Sequence, residues 1–538
     1  MDGVEQLQGA RQGSIVTIHE GMDFDSDELG YFMKLSDYGR KKDCILLESA
    51  DVITKYGEKS IGSASPCVKV RGRGRNFEVN ALNPLGEKFL QGIRGNFGFC
   101  KNVKVSAAKI SGQIPLMDPL LSEGERLRAI TMMDVLRKVA FGLSPANRPF
   151  TVSGGLMGAI AYDFIDQFEN LPQGRKDVLK EPDFEMNFYD NLFIVDHLAK
   201  KISFVANAML FDGSREEKDF ELSRCAGIIK SYKDALHAKM PVGKMPAGKK
   251  SKVSSDTSRQ GFMKMVSRLK KNVLCGDVFQ AVASRTLIAP FTAEPLDIYL
   301  QLRSLNPSPY MFYFNSGSGI LLGSSPETFL KVESSPDGPR MIEIRPIAGT
   351  KPRGFDAKGN IDPDLDSRFE AELKNDPKEL AEHTMLIDLA RNDVARVSEP
   401  GSRVCENPYT IVKYSHVQHL VSTVRGRLKG GLDALHAYLA SMNMGTLTGA
   451  PKVEAMKLLR RIEKTRRGFY GGSIGYLTPS GDFDCAIIIR SMKLQNGKAY
   501  IRAGAGIVHD SVPEQEFLET ERKARACLEA LEIAERGK

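Results

Sequence analysis

Short strand-like runs and long helical ones follow one another along this chain without ever settling into a strand–helix–strand alternation. Apolar or β-branched runs occur at 44–47, 68–70, 192–195, 320–322, 342–344, 486–490 and 500–502. Helical periodicity covers 123–143, 258–275, 377–395, 432–440, 452–461 and 513–536. Regular alternation would give a parallel sheet with crossover helices. Its absence predicts an α+β fold of antiparallel sheets flanked by helices. A Pro-, Gly- and Lys-rich stretch at 239–252 has no hydrophobic period and reads as an exposed connection. It divides the chain into an N-terminal region, 1–240, a linker, 241–255, and a C-terminal domain, 256–538. Residues 248–250, Gly-Lys-Lys, come near a phosphate-binding loop. Lys250 replaces the required Ser or Thr and no strand precedes it, so nucleotide binding there is rejected.

Several function classes are excluded early. No apolar run is long enough to cross a bilayer, and the N-terminus lacks a basic segment followed by an apolar one. The eight cysteines are scattered and never form Cys-x-x-Cys, which fits reduced thiols in a cytoplasmic protein. The net charge of +8 suits either an anionic small substrate or an ordinary solvated surface. No aromatic–basic stripe supports nucleic-acid binding. The basic run 69–75 reads as a surface hairpin, and residues 1–40 carry no functional signal. Tryptophan is absent from all 538 residues. Chance explains this, and so does a protein that must be made when tryptophan is scarce.

Chemistry concentrates after the linker. Asp376 and Pro377 are a good N-cap and first residue for a helix that places Glu379 and Glu382 on one face. Pro513 opens a second helix with Glu516, Glu519 and Lys523 along one face. Together they could supply a hard cation such as Mg²⁺, which takes about one or two protein carboxylates and completes its shell with water and substrate oxygens. For either helix alone, a capped, solvated helix is the stronger reading. Gly504 and Gly506 are expected directly after a strand, where bare backbone amides could hold an anionic oxygen or simply make a turn. Thr350 and His419 stand out as isolated polar candidates, with His416 close to the latter.

The joint order of these segments is more specific than any one. Phe279-Gln280, Ser325-Pro326-Glu327, 346–350, 378–383, 445–452, Gly504-Ala505-Gly506 and Glu516-x-x-Glu519-x-x-x-Lys523 occur in the order seen in chorismate-utilising enzymes. Among these the chain resembles the large subunits of anthranilate synthase, over nearly its whole length and most specifically from 256 to 530. The resemblance implies Mg²⁺ held by Glu382 and Glu519, with Glu379 and Glu516 in support. It implies chorismate bound by Gly349, Thr350, Thr446, Tyr470, Arg490, Gly504, Ala505, Gly506 and Lys523. Glu327 matches the general acid for the departing ring hydroxyl, a role that needs a carboxyl kept protonated. Relatives that add water look to carry lysine where this chain has Gln280. Relatives that make 4-amino-4-deoxychorismate look to carry lysine in place of Ala348. Gln280 with Ala348 therefore implies direct attack by ammonia at C2. Loss of the C4 hydroxyl follows, and then pyruvate elimination, in which Thr350 and His419 are expected to act.

None of the cysteines lies in a Gly-x-Cys-x-Gly elbow. A separate glutamine amidotransferase subunit is therefore expected to supply the ammonia in a hetero-oligomer. The segments 46–51 and 306–312 resemble the halves of the family's tryptophan inhibitor site, implying roles for Glu48, Ser49, Asn306, Pro307, Pro309, Tyr310 and Met311. Such a site would lie apart from the metal and act allosterically. Two alternatives stand beside this: an enzyme that stops at aminodeoxyisochorismate, and a non-catalytic tryptophan sensor that keeps only the binding fold. The sequence of the first would look nearly the same, though an intact inhibitor site favours the tryptophan pathway. The sensor should have lost carboxylates from the two helices, and all of them are present.

Overall fold

The computed structural model spans residues 1–538 and describes all but 25–26, 50–58, 119, 174, 245, 247–251, 336–337, 357, 415–416 and 538. The end of the 46–51 segment, His416 and the 248–250 tripeptide thus lie outside the described residues.

Among the described residues, two sheets of thirteen strands each form the frame, and their strands pair antiparallel except for a short parallel contact of Ser14 and Ile15 with Ser144 and Pro145. Each sheet takes strands from both sides of the linker. In the first, Ile45–Glu48 pairs with Tyr310–Asn315, placing Leu46 opposite Tyr313. In the second, Gly155–Ile160 pairs with Ser473–Leu477. The stretches before and after the linker are thus hydrogen-bonded into common sheets. Lys69 adds a further tie: paired with Asp43 at 2.8 Å and Glu185 at 2.9 Å, it also donates to the Ser316 carbonyl at 2.6 Å. The basic run that contains it is a hairpin of Val68–Arg73 and Asn76–Ala81.

Helices cover the sheets with amphipathic faces. Pro513–Glu535 buries Phe517, Ala524, Cys527, Leu531 and Ala534, and packs along Pro295–Leu305, which buries Leu296, Tyr299 and Leu302. Each such large apolar side chain contributes about 1.5–3 kcal/mol. Asp376 caps Pro377–Val397 by accepting from the amides of Lys378 and Glu379. The α+β architecture and most of the expected helices are present.

Three local expectations are corrected. The 123–143 helix is two, Glu123–Arg128 and Met132–Ala140. Thr131 and Asp134 close a capping box that starts the second helix afresh, with Ala129 extended before it. The 486–490 strand stops early: Phe483–Ile487 ends three residues before Arg490, whose backbone is left-handed at φ +48°, and Ser491–Gln495 begins a new strand. Gly504 and Gly506 do not follow a strand but lie within one, Lys498–Ile507, paired to Gln280–Pro290 with Gly506 opposite Val282.

Candidate active site

Five elements converge where the first turns of Pro377–Val397 and Pro513–Glu535 face the strand Gln280–Pro290. Gln280 opens that strand and is 2 % exposed. Its amide nitrogen donates to Glu382 Oε1 at 3.0 Å. A β-carbon on Gly506 would lie 2.5 Å from the same nitrogen. A side chain at this position would displace the Gln280 amide from its place beside Glu382, and glycine leaves it room.

The peptide edges of Gly504 and Gly506 point away from the Gln280 strand. Lys523 Nζ donates to the Gly504 carbonyl at 3.1 Å, and the Ser511 hydroxyl to that of Gly506 at 3.5 Å. The N–H of a strand residue points the same way as its C=O, so both amides share this open edge. Ala505 turns its peptide groups toward Ala283 in the Gln280 strand and is fully buried, so it offers the open edge neither backbone nor side chain.

Acidic groups crowd the same place. Burial raises the Glu379 carboxyl, and the charges of Glu382, Asp376 and Glu519 add to the rise. Glu516 is raised by burial and by Glu519, against a hydrogen bond from Ser511. Lys523 pairs with Glu519 at 2.6 Å. Among the described residues no three His, Cys, Asp or Glu side chains come close enough to enclose a metal. The carboxylates come instead from two separate helix starts.

Glu327 lies across from this cluster. It is 5 % exposed, and burial pushes its carboxyl up to about 8 against the pull of Thr446, Lys523 and Arg490. Its buried Oε1 has the buried Thr446 hydroxyl as its neighbour, the group that most favours the charged form. Arg490 sits among Tyr470, Glu519 and Glu327, and burial lowers its pKa. A non-glycine residue with positive φ stores backbone strain and is a mark of functional sites.

Thr350 and His419 face each other across paired strands, Ile347–Pro352 and Val417–Arg427. The register slips at Gly349, whose φ of +65° suits a glycine bulge. The bulge brings the Gly349 carbonyl to 2.9 Å and the Thr350 hydroxyl to 3.0 Å from His419 Nδ1. A proton on Nδ1, donated to Gly349, leaves Nε2 as an acceptor. Burial drops the His419 pKa to about 4, with Arg490 lowering it further against that hydrogen bond. The ring is neutral at physiological pH, so it can take up a proton or accept a hydrogen bond. Ser325, which the sequence offers only as part of a motif and without a role, accepts from the Glu327 amide at 3.3 Å and so fixes the backbone beneath the acid.

A second cavity, of ≈ 410 Å³, opens at the seam between Ile45–Glu48 and Tyr310–Asn315. Ser49, Pro309 and Tyr310 line it, and so do Lys59, Tyr476 and Asp484, which the sequence did not single out. The Tyr310 hydroxyl donates to Asp484 at 3.0 Å and lies 3.1 Å from that of Thr328. The other residues expected in one ligand site are divided. Met311 is 1 % exposed and packed in the core beside Tyr299 and Tyr313. Glu48 edges the cavity, but its carboxyl takes the hydroxyl of Tyr299 and lies 3.4 Å from Arg303. Burial raises it to about 7. Asn306 bonds Ser324 at 3.0 Å, tightening the turn that holds Pro307. Among the described residues no helix is long and apolar enough to cross a membrane.

Comparison with known proteins agrees with this geometry. Residues 103–529 match the family described as chorismate binding enzyme. The chain is 40 % identical to anthranilate synthase component 1 of Vibrio cholerae, over 97 % of each chain. It is also 40 % identical to that of Escherichia coli K12, over 92 % of this chain and 93 % of the other. Among solved structures, anthranilate synthase component I from Streptococcus pneumoniae superposes with a TM-score of 0.68 at 29 % identity, covering 87 % and 92 %. The menaquinone-specific isochorismate synthase of Escherichia coli shares the fold, with a TM-score of 0.63 at 15 % identity over 98 % and 99 %.

Proposed function

Because the chain belongs to the chorismate binding enzymes, we propose that it converts chorismate to anthranilate by amination at C2, followed by elimination of pyruvate. The observation that carries this reading is the amide of Gln280, held on Glu382 at the edge of a site that also contains a protonated acid, Glu327. An amide cannot deprotonate water, so the nucleophile must be competent already, as ammonia is. Glu327 gives its proton to the C4 hydroxyl, which leaves as water while the new C2–N bond forms. His419 Nε2 then accepts the C2 proton, or orients the ring, as the side chain departs as pyruvate.

The residues fit Mg²⁺ through Glu382 and Glu519, with Glu379 and Glu516 behind them. A crowd of like-charged carboxylates with only Lys378 and Lys523 nearby is short of positive charge, and such an ion completes its shell with water and substrate oxygens. The ion would supply positive charge for a substrate carboxylate. Lys523 and the amides of Gly504 and Gly506 serve the same carboxylate, and Arg490 with Tyr470 serves the other. A planar guanidinium donating two parallel bonds suits that task.

Ammonia comes from glutamine through a separate amidotransferase subunit, and tryptophan inhibits from the seam cavity. That cavity's size falls within the roughly 300–1,000 Å³ of small-molecule sites. Its Tyr310 and Tyr476 can flank an indole, with Lys59 and Asp484 available to the amino-acid end. The test uses the chain alone with chorismate, Mg²⁺ and either ammonium or glutamine. Fluorescent anthranilate is expected with ammonium only, and none after chelation of the metal. Turnover with glutamine alone would contradict the separate subunit, and full turnover in chelator would remove the metal. Independently of activity, Mg²⁺ should raise the melting temperature of the wild type more than that of Glu382→Gln.

A further inference from the structure

The cavity at the seam has a far wall, and that wall belongs to the lyase end of the catalytic site. Ile347 and Val421 line it and pair with each other across the strands that carry Thr350 and His419. Val421 is two residues from His419 on the same strand, so both side chains stand on one face. Tyr414 lines the cavity as well and is 8 % exposed. Its ring meets the His419 ring edge-on, with centroids 5.4 Å apart and planes at 64°. Edge-to-face pairs at such distances have a preferred geometry, so moving one ring turns the other. The Tyr414 backbone is held from behind: Arg353 donates to its carbonyl at 2.6 Å, and its amide donates to Val417 at 2.8 Å. Its ring is therefore fixed at the base and touches cavity and imidazole at once. The nearest competing link is Tyr310 to Thr328. Thr328 and Pro326 line the cavity too, but they adjoin Glu327 in the chain, whereas the ring in contact with His419 is that of Tyr414.

We infer that Tyr414 positions the His419 imidazole and is the contact through which an occupant of the seam cavity reaches the catalytic site. The inference rests on the reading of that cavity as a tryptophan site. His419 keeps Nδ1 on Gly349 only in one ring plane, and the edge of Tyr414 holds that plane. A ligand that pushes the tyrosine ring rotates Nε2 away from the substrate without touching the substrate or the acidic cluster. The inhibited state then needs only a side-chain movement, with the sheets unchanged.

The test uses the full chain and the ligand's own light. No tryptophan occurs in the protein, so the emission of added tryptophan reports binding without background. Wild type should bind tryptophan and lose anthranilate formation in parallel. Tyr414→Leu should bind with a nearly unchanged Kd, while its inhibition constant rises about tenfold, within the usual range of coupling between sites. Tyr414→Phe, which keeps the ring, should stay coupled. Equal inhibition of wild type and Tyr414→Leu at equal Kd would overturn the link and leave the tryptophan site standing. No binding to wild type would remove the site itself, and the link with it. Should Tyr414→Leu fail to fold, histidine-labelled wild type decides by NMR. A shift of the His419 ring resonances on adding tryptophan supports the link, and unmoved resonances overturn it.

Discussion

The acidic cluster and the seam cavity are built in opposite ways. The cluster draws on helix starts, where capping chemistry and i,i+3 spacing put carboxylates on one face, so its parts are adjacent in sequence. The cavity is made by strand register: Ser49, Tyr310, Tyr476 and Asp484 come from four strands or strand ends and meet because two sheets run across the linker. Local chemistry builds the first region and long-range pairing the second. Substitutions in the first should act on the reaction, and those in the second on ligand binding and its transmission.

The largest expected effect is at Glu327. Glu327→Gln removes the proton donor and should lower kcat/KM by about 10²–10⁴, measured by anthranilate fluorescence. The wild-type pH profile sharpens this. Glu327 acts when protonated, so kcat/KM should hold below, and fall as pH rises through, a pKa of about 8. His419, neutral above about 4, should impose no loss between those values. Next in size, His419→Ala should keep the amination and slow the elimination. A non-aromatic amine should build up, detected by mass, at about 10²-fold less anthranilate. Anthranilate released at the wild-type rate would withdraw His419 from the second step.

Smaller effects belong to the cavity. Tyr310→Ala removes a cavity wall and should weaken tryptophan binding about tenfold, roughly the 1–3 kcal/mol that binding-site truncations cost, while kcat with ammonium changes little. The smallest is Met311→Leu. Met311 is buried in the core rather than presented to the cavity. This swap should cost less than about 1.5 kcal/mol of stability and leave tryptophan affinity unaltered. A large loss of affinity would bring Met311 back to the ligand.

The same contrast explains what could be read from the sequence. Asp376-Pro377 and Pro513 mark helix starts by capping chemistry alone, and both helices begin there. The α+β class followed from patterning that never alternated. Gly504 and Gly506 were legible as special but were misplaced, because Ala-Gly repeats lack the β-branched side chains that signal a strand interior. The 123–143 helix was drawn through Thr131 because its apolar period continues across the capping box. The left-handed backbone at Arg490 has no sequence mark at all. Lys59, Tyr476 and Asp484 could not be grouped with Tyr310, since only sheet register unites them. Glu48 and Met311 belong to segments that reach the cavity, but strand alternation aims their side chains toward the core.

The central claim is that one site both aminates chorismate and eliminates pyruvate, while a separate cavity governs it. The most direct measurement is mass and fluorescence analysis of products from chorismate, Mg²⁺ and ammonium, with and without tryptophan. Anthranilate and pyruvate in equal amounts, both suppressed by tryptophan, is the predicted result. A non-aromatic amine as the end product, or anthranilate formation indifferent to tryptophan, would contradict the account.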